Sequence, residues 1–149
     1  MHRAGIKYKI GIVIIGCLFS IQSLAQDLSQ HKWEDRILLV FTNDLESKIF
    51  KNQMLELGKD EGGMKERKLA VYEVVEDRYR CTSYQRSNEV GIWKETDESM
   101  FQRFTIKQPF SVVLIGLDGG VKLKKDEIVT QEELFRIIDS MPMRRFGID

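Results

Sequence analysis

Cys81 is the cysteine that lies clear of the N-terminal apolar run, and Arg78, Arg80 and Arg86 are its near neighbours in sequence. Guanidinium groups favour a thiolate, so this cluster is where a one-cysteine redox chemistry would reside. The segment around it has no firm periodicity, and no second thiol stands in the same region to resolve a mixed disulfide. An incidental cysteine and an intermolecular disulfide are therefore the competing readings. Zinc needs three or four nitrogen or sulfur ligands, and beyond residue 25 the chain offers His31 and Cys81. Asp118-Gly119-Gly120 is followed by Val121 and Lys122 instead of oxygen ligands, which fits a turn and fails a calcium loop. A nucleophilic triad needs a histidine base, and His31 falls in a polar stretch ahead of the first core element. Glycine-rich nucleotide cradles are missing from the sequence. No cofactor is expected.

Met141-Pro142-Met143-Arg144-Arg145 admits two readings. Thioether side chains beside paired guanidinium groups suit a protein partner. Equally, the methionines could close the core while the arginines oppose the negative end of the preceding helix. Lys122 and Lys124 would add positive charge nearby, or line the wet face of a strand.

Residues 1–25 have the form of a signal peptide. Arg3, Lys7 and Lys9 precede an apolar run from Ile10 to Ile21, and Ser23-Leu24-Ala25 offers a small-x-small cleavage site. Twelve apolar residues fall short of the ~20 needed to span a bilayer, so no membrane span is expected. Cleavage after Ala25 would release the protein to the periplasm or the exterior. Ile14-Ile15-Gly16-Cys17 loosely resembles a lipobox, giving a lipid anchor at Cys17 as the alternative; the apolar Leu18, Phe19 and Ile21 behind it argue against that.

The whole chain has 23 basic and 23 acidic residues, and removing Arg3, Lys7 and Lys9 leaves 20 against 23. That small negative balance gives no electrostatic case for nucleic acid. The rest is sized for one domain with a substantial core. The partition read here is a signal peptide at 1–25, a lead-in at 26–35, a folded domain at 36–145 and a tail at 146–149.

Arg36 to Thr42 is a continuous apolar run, as expected of a strand buried on both faces. Asn43 and Glu46 form a box-like pair ahead of Leu45, Ile49, Phe50, Met54 and Leu57, which predicts a helix from about Asp44 to Lys59, with Gly62-Gly63 as terminator or loop. Lys68 to Val75 reads as a strand parallel to the first. Glu76 to Glu95 reads as an irregular insertion. Thr96 to Phe104 reads as a short helix, Phe110 to Leu117 as a strand, and Val121 to Lys124 as its hairpin return with Val121 and Leu123 on the buried face. Thr130 with Glu133 opens a last helix carrying Leu134, Phe135, Ile137, Ile138 and Met141, which Pro142 stops.

This order of elements resembles the thioredoxin-like layout: an α/β three-layer fold with a mixed four-stranded sheet, order 2-1-3-4, flanked by helices. The runs Phe110 to Leu123, Glu133-Leu134-Phe135 and Ile138 to Arg145 look like those of a thioredoxin-like domain-of-unknown-function family. That family also occurs at the C-terminus of sushi-repeat-containing extracellular matrix proteins. The resemblance implies that Pro109 corresponds to the cis-proline of thioredoxins, although an ordinary trans proline opening a strand fits its position as well. It also implies that redox cysteines would sit between Thr42 and Lys48, where this chain has Asn43, Asp44, Leu45, Glu46 and Ser47. The function expected is therefore binding of a protein partner in the envelope or extracellular space, with no enzymatic activity.

Overall fold

The computed structural model describes residues 28–86, 90–96 and 99–147; the expected signal peptide, its cleavage site and Cys17 lie outside them. The chain runs β1 (Arg36–Thr42), α1 (Lys48–Leu57), α2 (Glu61–Glu66), β2 (Leu69–Val75), β3 (Arg78–Ser83), β4 (Lys94–Glu95), α3 (Ser99–Arg103), β5 (Phe110–Ile115), β6 (Val121–Lys125), α4 (Gln131–Asp139) and α5 (Pro142–Arg145). One mixed sheet has the order β4-β3-β2-β1-β5-β6.

β1 is central because every one of its residues can be buried. It pairs parallel with β2, Arg36 opposite Leu69 through Thr42 opposite Val75, and antiparallel with β5, Ile37 opposite Ile115 through Thr42 opposite Phe110. Successive side chains of a strand point to opposite faces, so β1 feeds two cores. Leu38 and Val40 meet Phe50 and Leu57 of α1, Met64 of α2, and Leu134 and Ile138 of α4. Ile37, Leu39 and Phe41 meet Leu28, Tyr79 and Met100. Full burial of each such side chain contributes about 1.5–3 kcal/mol, and the two layers together hold the sheet without a cross-link.

The expected four strands are present in the expected order, but the sheet has six. The extra pair comes from the stretch read as irregular. A two-residue turn at Glu76-Asp77, with Glu76 at φ 43°, folds β3 back on β2, Val75 opposite Arg78 through Ala70 opposite Ser83. β4 adds to β3 through Arg78 opposite Glu95.

The helix after β1 starts later than Asn43 and Glu46 suggest. Asp44 Oδ1 accepts from the Glu46 N–H at 2.8 Å, a local turn that competes with helix, and Ser47 provides the cap by accepting from the Phe50 N–H. Asp60 caps α2, a short helix unforeseen in the sequence, by accepting from the Gly63 N–H. A side chain on Gly63 would meet the Phe135 ring at 2.5 Å, so the glycine is there to let α4 approach. Gly63→Ala is expected to destabilise by about 1–3 kcal/mol, read from the urea midpoint, with Gly62→Ala much milder.

The Gln108–Pro109 bond is trans, correcting the cis expectation: among the described residues all peptide bonds are trans. Pro109 opens β5 and its carbonyl accepts from the Asn43 N–H at 3.0 Å, which continues the β1–β5 ladder without an isomer change. Thr130 caps α4 through the Glu133 N–H as expected, and buried Gln53 takes both the carbonyl and the N–H of Val129, fastening the start of α4 to α1. In the hairpin, Gly119 has φ 82° as its turn requires, but Val121 is 54% exposed, so the buried face of β6 rests on Leu123.

Candidate functional site

Four places bear on function. The first is the tip where β1 runs out. Thr42 Oγ1 donates to the Asp44 carbonyl at 2.9 Å and accepts from the Asp44 N–H, while Ser47 Oγ donates to the same carbonyl at 2.7 Å. Glu46 pairs with Lys51 in solvent. Open clefts of about 490 and 400 Å³ flank the tip, sharing Asn43, Glu76 and Asp77. The polar groups of the tip itself, from Thr42 to Ser47, are amides, carboxylates and hydroxyls. Such a tip can accept and donate hydrogen bonds, but it has no sulfur with which to exchange a disulfide. Among the described residues no group of three or more histidine, cysteine, aspartate or glutamate side chains could hold a metal ion.

The second is Cys81, half-buried in β3 opposite Tyr72, with its carbonyl accepting from the Gly91 N–H. Strand alternation sends Arg78 and Arg80 to the face opposite its side chain. Both arginines stack on Trp93, at 5.0 and 4.6 Å from the ring centre. Arg80 also donates from Nε and Nη2 to the Glu73 carboxylate at 2.9 and 2.7 Å. Arg78 and Arg80 are thus committed elsewhere, and exposed Arg86 pairs with Glu34 at 3.5 Å.

The third is the C-terminal turn. Arg144 is held by Glu66 at 2.5 Å and Asp139 at 3.3 Å, and Asp139 also accepts from Arg67 Nη2 at 2.7 Å. Arg67 lies over the Phe135 ring at 4.1 Å. This network ties α5 to α2 and α4, so Arg144 is an anchor. Met141 packs on the core, Met143 is half-buried, and Pro142, Arg145 and Phe146 face outward, Phe146 with 75% of its surface exposed. Arg67, and after it Arg144, holds the Asp139 carboxyl below the usual carboxylate range. A group depressed in the folded state stabilises above its unfolded value of about 3.9 and loses that contribution as pH falls through the folded value. Asp139→Asn is therefore expected to destabilise at neutral pH and to match the parent protein at low pH, in urea melts across that range.

The fourth is the N-terminal turn. Residues 28–35 are not a loose lead-in: Leu28, His31 and Asp35 are all buried, and the Trp33 N–H donates to the Leu117 carbonyl at 2.8 Å. A carboxylate only accepts, so His31 Nδ1 donates to Asp35 Oδ2 at 2.6 Å, and Nε2 is hydrogen-bonded to the Tyr72 hydroxyl at 2.7 Å. His31, Asp35 and Tyr72 are 6%, 3% and 2% exposed, and the tyrosine stacks on Tyr79. The spacing Leu28, His31, Asp35, three and then four residues, was the available signal. The chain Asp35–His31–Tyr72 joins the N-terminal turn to β2.

These elements define a thioredoxin-like α/β domain. Plasmodium vivax 2-Cys peroxiredoxin in its reduced form is similar in structure, with a TM-score of 0.56 and 15% identity over 82% of this chain and 85% of that one. A structure described as that of a malarial protein overlaps with a TM-score of 0.48 and 17% identity, over 70% of this chain and 94% of the other. The chain belongs to the family described as Domain of unknown function (DUF4174), whose model matches residues 27–146. No curated protein sequence matches it.

Proposed function

We propose that the protein is a non-redox thioredoxin-like binding module that acts outside the cytoplasm on a protein partner. The observation that carries this reading is the β1 tip, where hydrogen-bonded Thr42, Asp44 and Ser47 occupy the place of a redox centre. The signal-like residues 1–25 support an extracytoplasmic setting, as does the resemblance to domains that end sushi-repeat-containing matrix proteins. No helix among the described residues is long and apolar enough to cross a membrane.

The partner surface is the outward face of α5 and the residue after it. Arg144 fixes the turn, and Pro142, Arg145 and Phe146 are offered to a neighbour. Aromatic and arginine side chains dominate the energetics of protein interfaces. Arg145→Glu with Phe146→Ala is expected to abolish capture of the partner from the envelope fraction. Unfolding free energy should stay within about 0.5 kcal/mol of the parent, as befits exposed positions. Equal recovery by both proteins would remove this surface from consideration. Mass spectrometry of the native N-terminus tests the setting: Gln26 as first residue fits release, and an acylated Cys17 would make the module lipid-anchored instead.

A further inference from the structure

At the end of the sheet opposite the β1 tip, a cavity of about 220 Å³ opens between the N-terminal turn and the β5–β6 hairpin. Ile37 and Ile115 line it, with His31 and Asp35 of the buried hydrogen-bonded chain in the wall. Its charged groups fall into two sets. Both acids already have a partner: Asp35 accepts a hydrogen bond from the His31 ring at 2.6 Å, and Asp118 pairs with Lys122 at 2.7 Å and accepts from the Gly120 N–H at 3.0 Å. Lys122 holds the Asp118 carboxyl below its usual range, which keeps that pairing intact at neutral pH. Lys32 and Arg103, by contrast, are exposed and lie near aromatic rings, Trp33 at 5.7 Å and Phe104 at 5.8 Å, and among the described residues neither has an ion pair. Lys122, Lys124 and Lys125 on the nearby hairpin are all taken up, which leaves Lys32 and Arg103, among the described residues, as the unpaired cations lining the cavity.

We infer that this cavity binds the oxyanion of a small ligand, a carboxylate or a phosphate group, between Lys32 and Arg103. A fork of guanidinium donors and a mobile ammonium are the pair that suits either anion. The Ser29 side of the turn completes the polar rim, and the isoleucine pair receives a short apolar stem. The volume is below that of ordinary drug-sized sites, which limits the ligand to a compact molecule. The site is separate from the α5 surface and does not depend on the partner proposed for it.

The test is titration of the ¹⁵N-labelled protein, as purified from the expressing cell, with sodium phosphate and separately with sodium acetate. Ionic strength is held constant with chloride. Saturable amide shifts confined to residues 29–35 and 116–119 are expected with at least one anion, and which one saturates assigns the group. Lys32→Ala with Arg103→Ala is expected to weaken binding at least tenfold, while Lys107→Ala binds as the parent does. Should the double variant fail to give a folded spectrum, Arg103→Gln alone reads the same loss. Shifts that do not saturate below about 10 mM with either anion, that spread over the surface, or that survive the double substitution would overturn the assignment.

Discussion

His31→Leu is expected to lower the unfolding free energy by about 3–5 kcal/mol, measured by urea denaturation, because it strands a buried carboxylate. Asp35 is 3% exposed and its Oδ2 relies on His31 Nδ1, so the leucine replaces a donor with hydrocarbon at a nearly buried position. Tyr72→Phe, which removes only the hydroxyl on the far side of the ring, should cost about 1–3 kcal/mol. Combining His31→Leu with Asp35→Leu should recover much of the loss, since a pair of apolar groups leaves no uncompensated charge. A loss below about 1 kcal/mol for His31→Leu alone would mean that Asp35 finds solvent, and the buried chain would not be a fastening of the N-terminal turn.

A comparable loss, again about 3–5 kcal/mol, is expected for Arg80→Ala. Glu73 sits in β2 with 3% of its surface exposed, among residues that are otherwise apolar, and Arg80 supplies two parallel donors to it from the neighbouring strand. Lysine should not rescue, because one ammonium cannot reproduce a two-pronged donor or stack on Trp93 in the same way. Removing both charges, with Glu73→Val beside Arg80→Ala, should bring the midpoint back towards that of the parent. If Arg80→Ala and Arg80→Lys melt like the parent, the pair is a solvated surface contact and β3 is held by its backbone ladder alone.

These two pairs also mark the limit of what could be read in advance. β1, β2, β5 and α4 are legible because each carries one unmixed signal: an unbroken apolar run or, at Thr130 and Glu133, a cap at the right spacing. β3 hid because the residues that cover Glu73 and Trp93 are arginines, so a half-buried strand looked polar throughout. Its turn hid too, since Glu76 at φ 43° uses a backbone conformation that glycine or asparagine normally announces. The N-terminal turn is hidden for the same reason as β3, its buried polar members being a histidine and an aspartate. Local competition explains the misplaced start of α1, where Asp44 binds its own neighbour and leaves the capping role to Ser47. Of the candidate sites, the sulfur-free tip was visible from residue types, whereas the division of labour between Arg144 and Arg145 needed Glu66 and Asp139, distant in sequence, to be brought alongside.

The two margins of the sheet have a bearing on how such a protein survives at high concentration. On one side the last strand is two residues long, Lys94–Glu95, and on the other β6 carries three lysines, each fixed by an internal partner. A foreign chain seeking to extend the sheet meets too few free amides at the first margin and a fence of immobilised ammonium groups at the second. Fibril growth and strand-mediated self-association are thereby discouraged at both ends, and neutralising Lys122 and Lys124 together is the change that would open a way in.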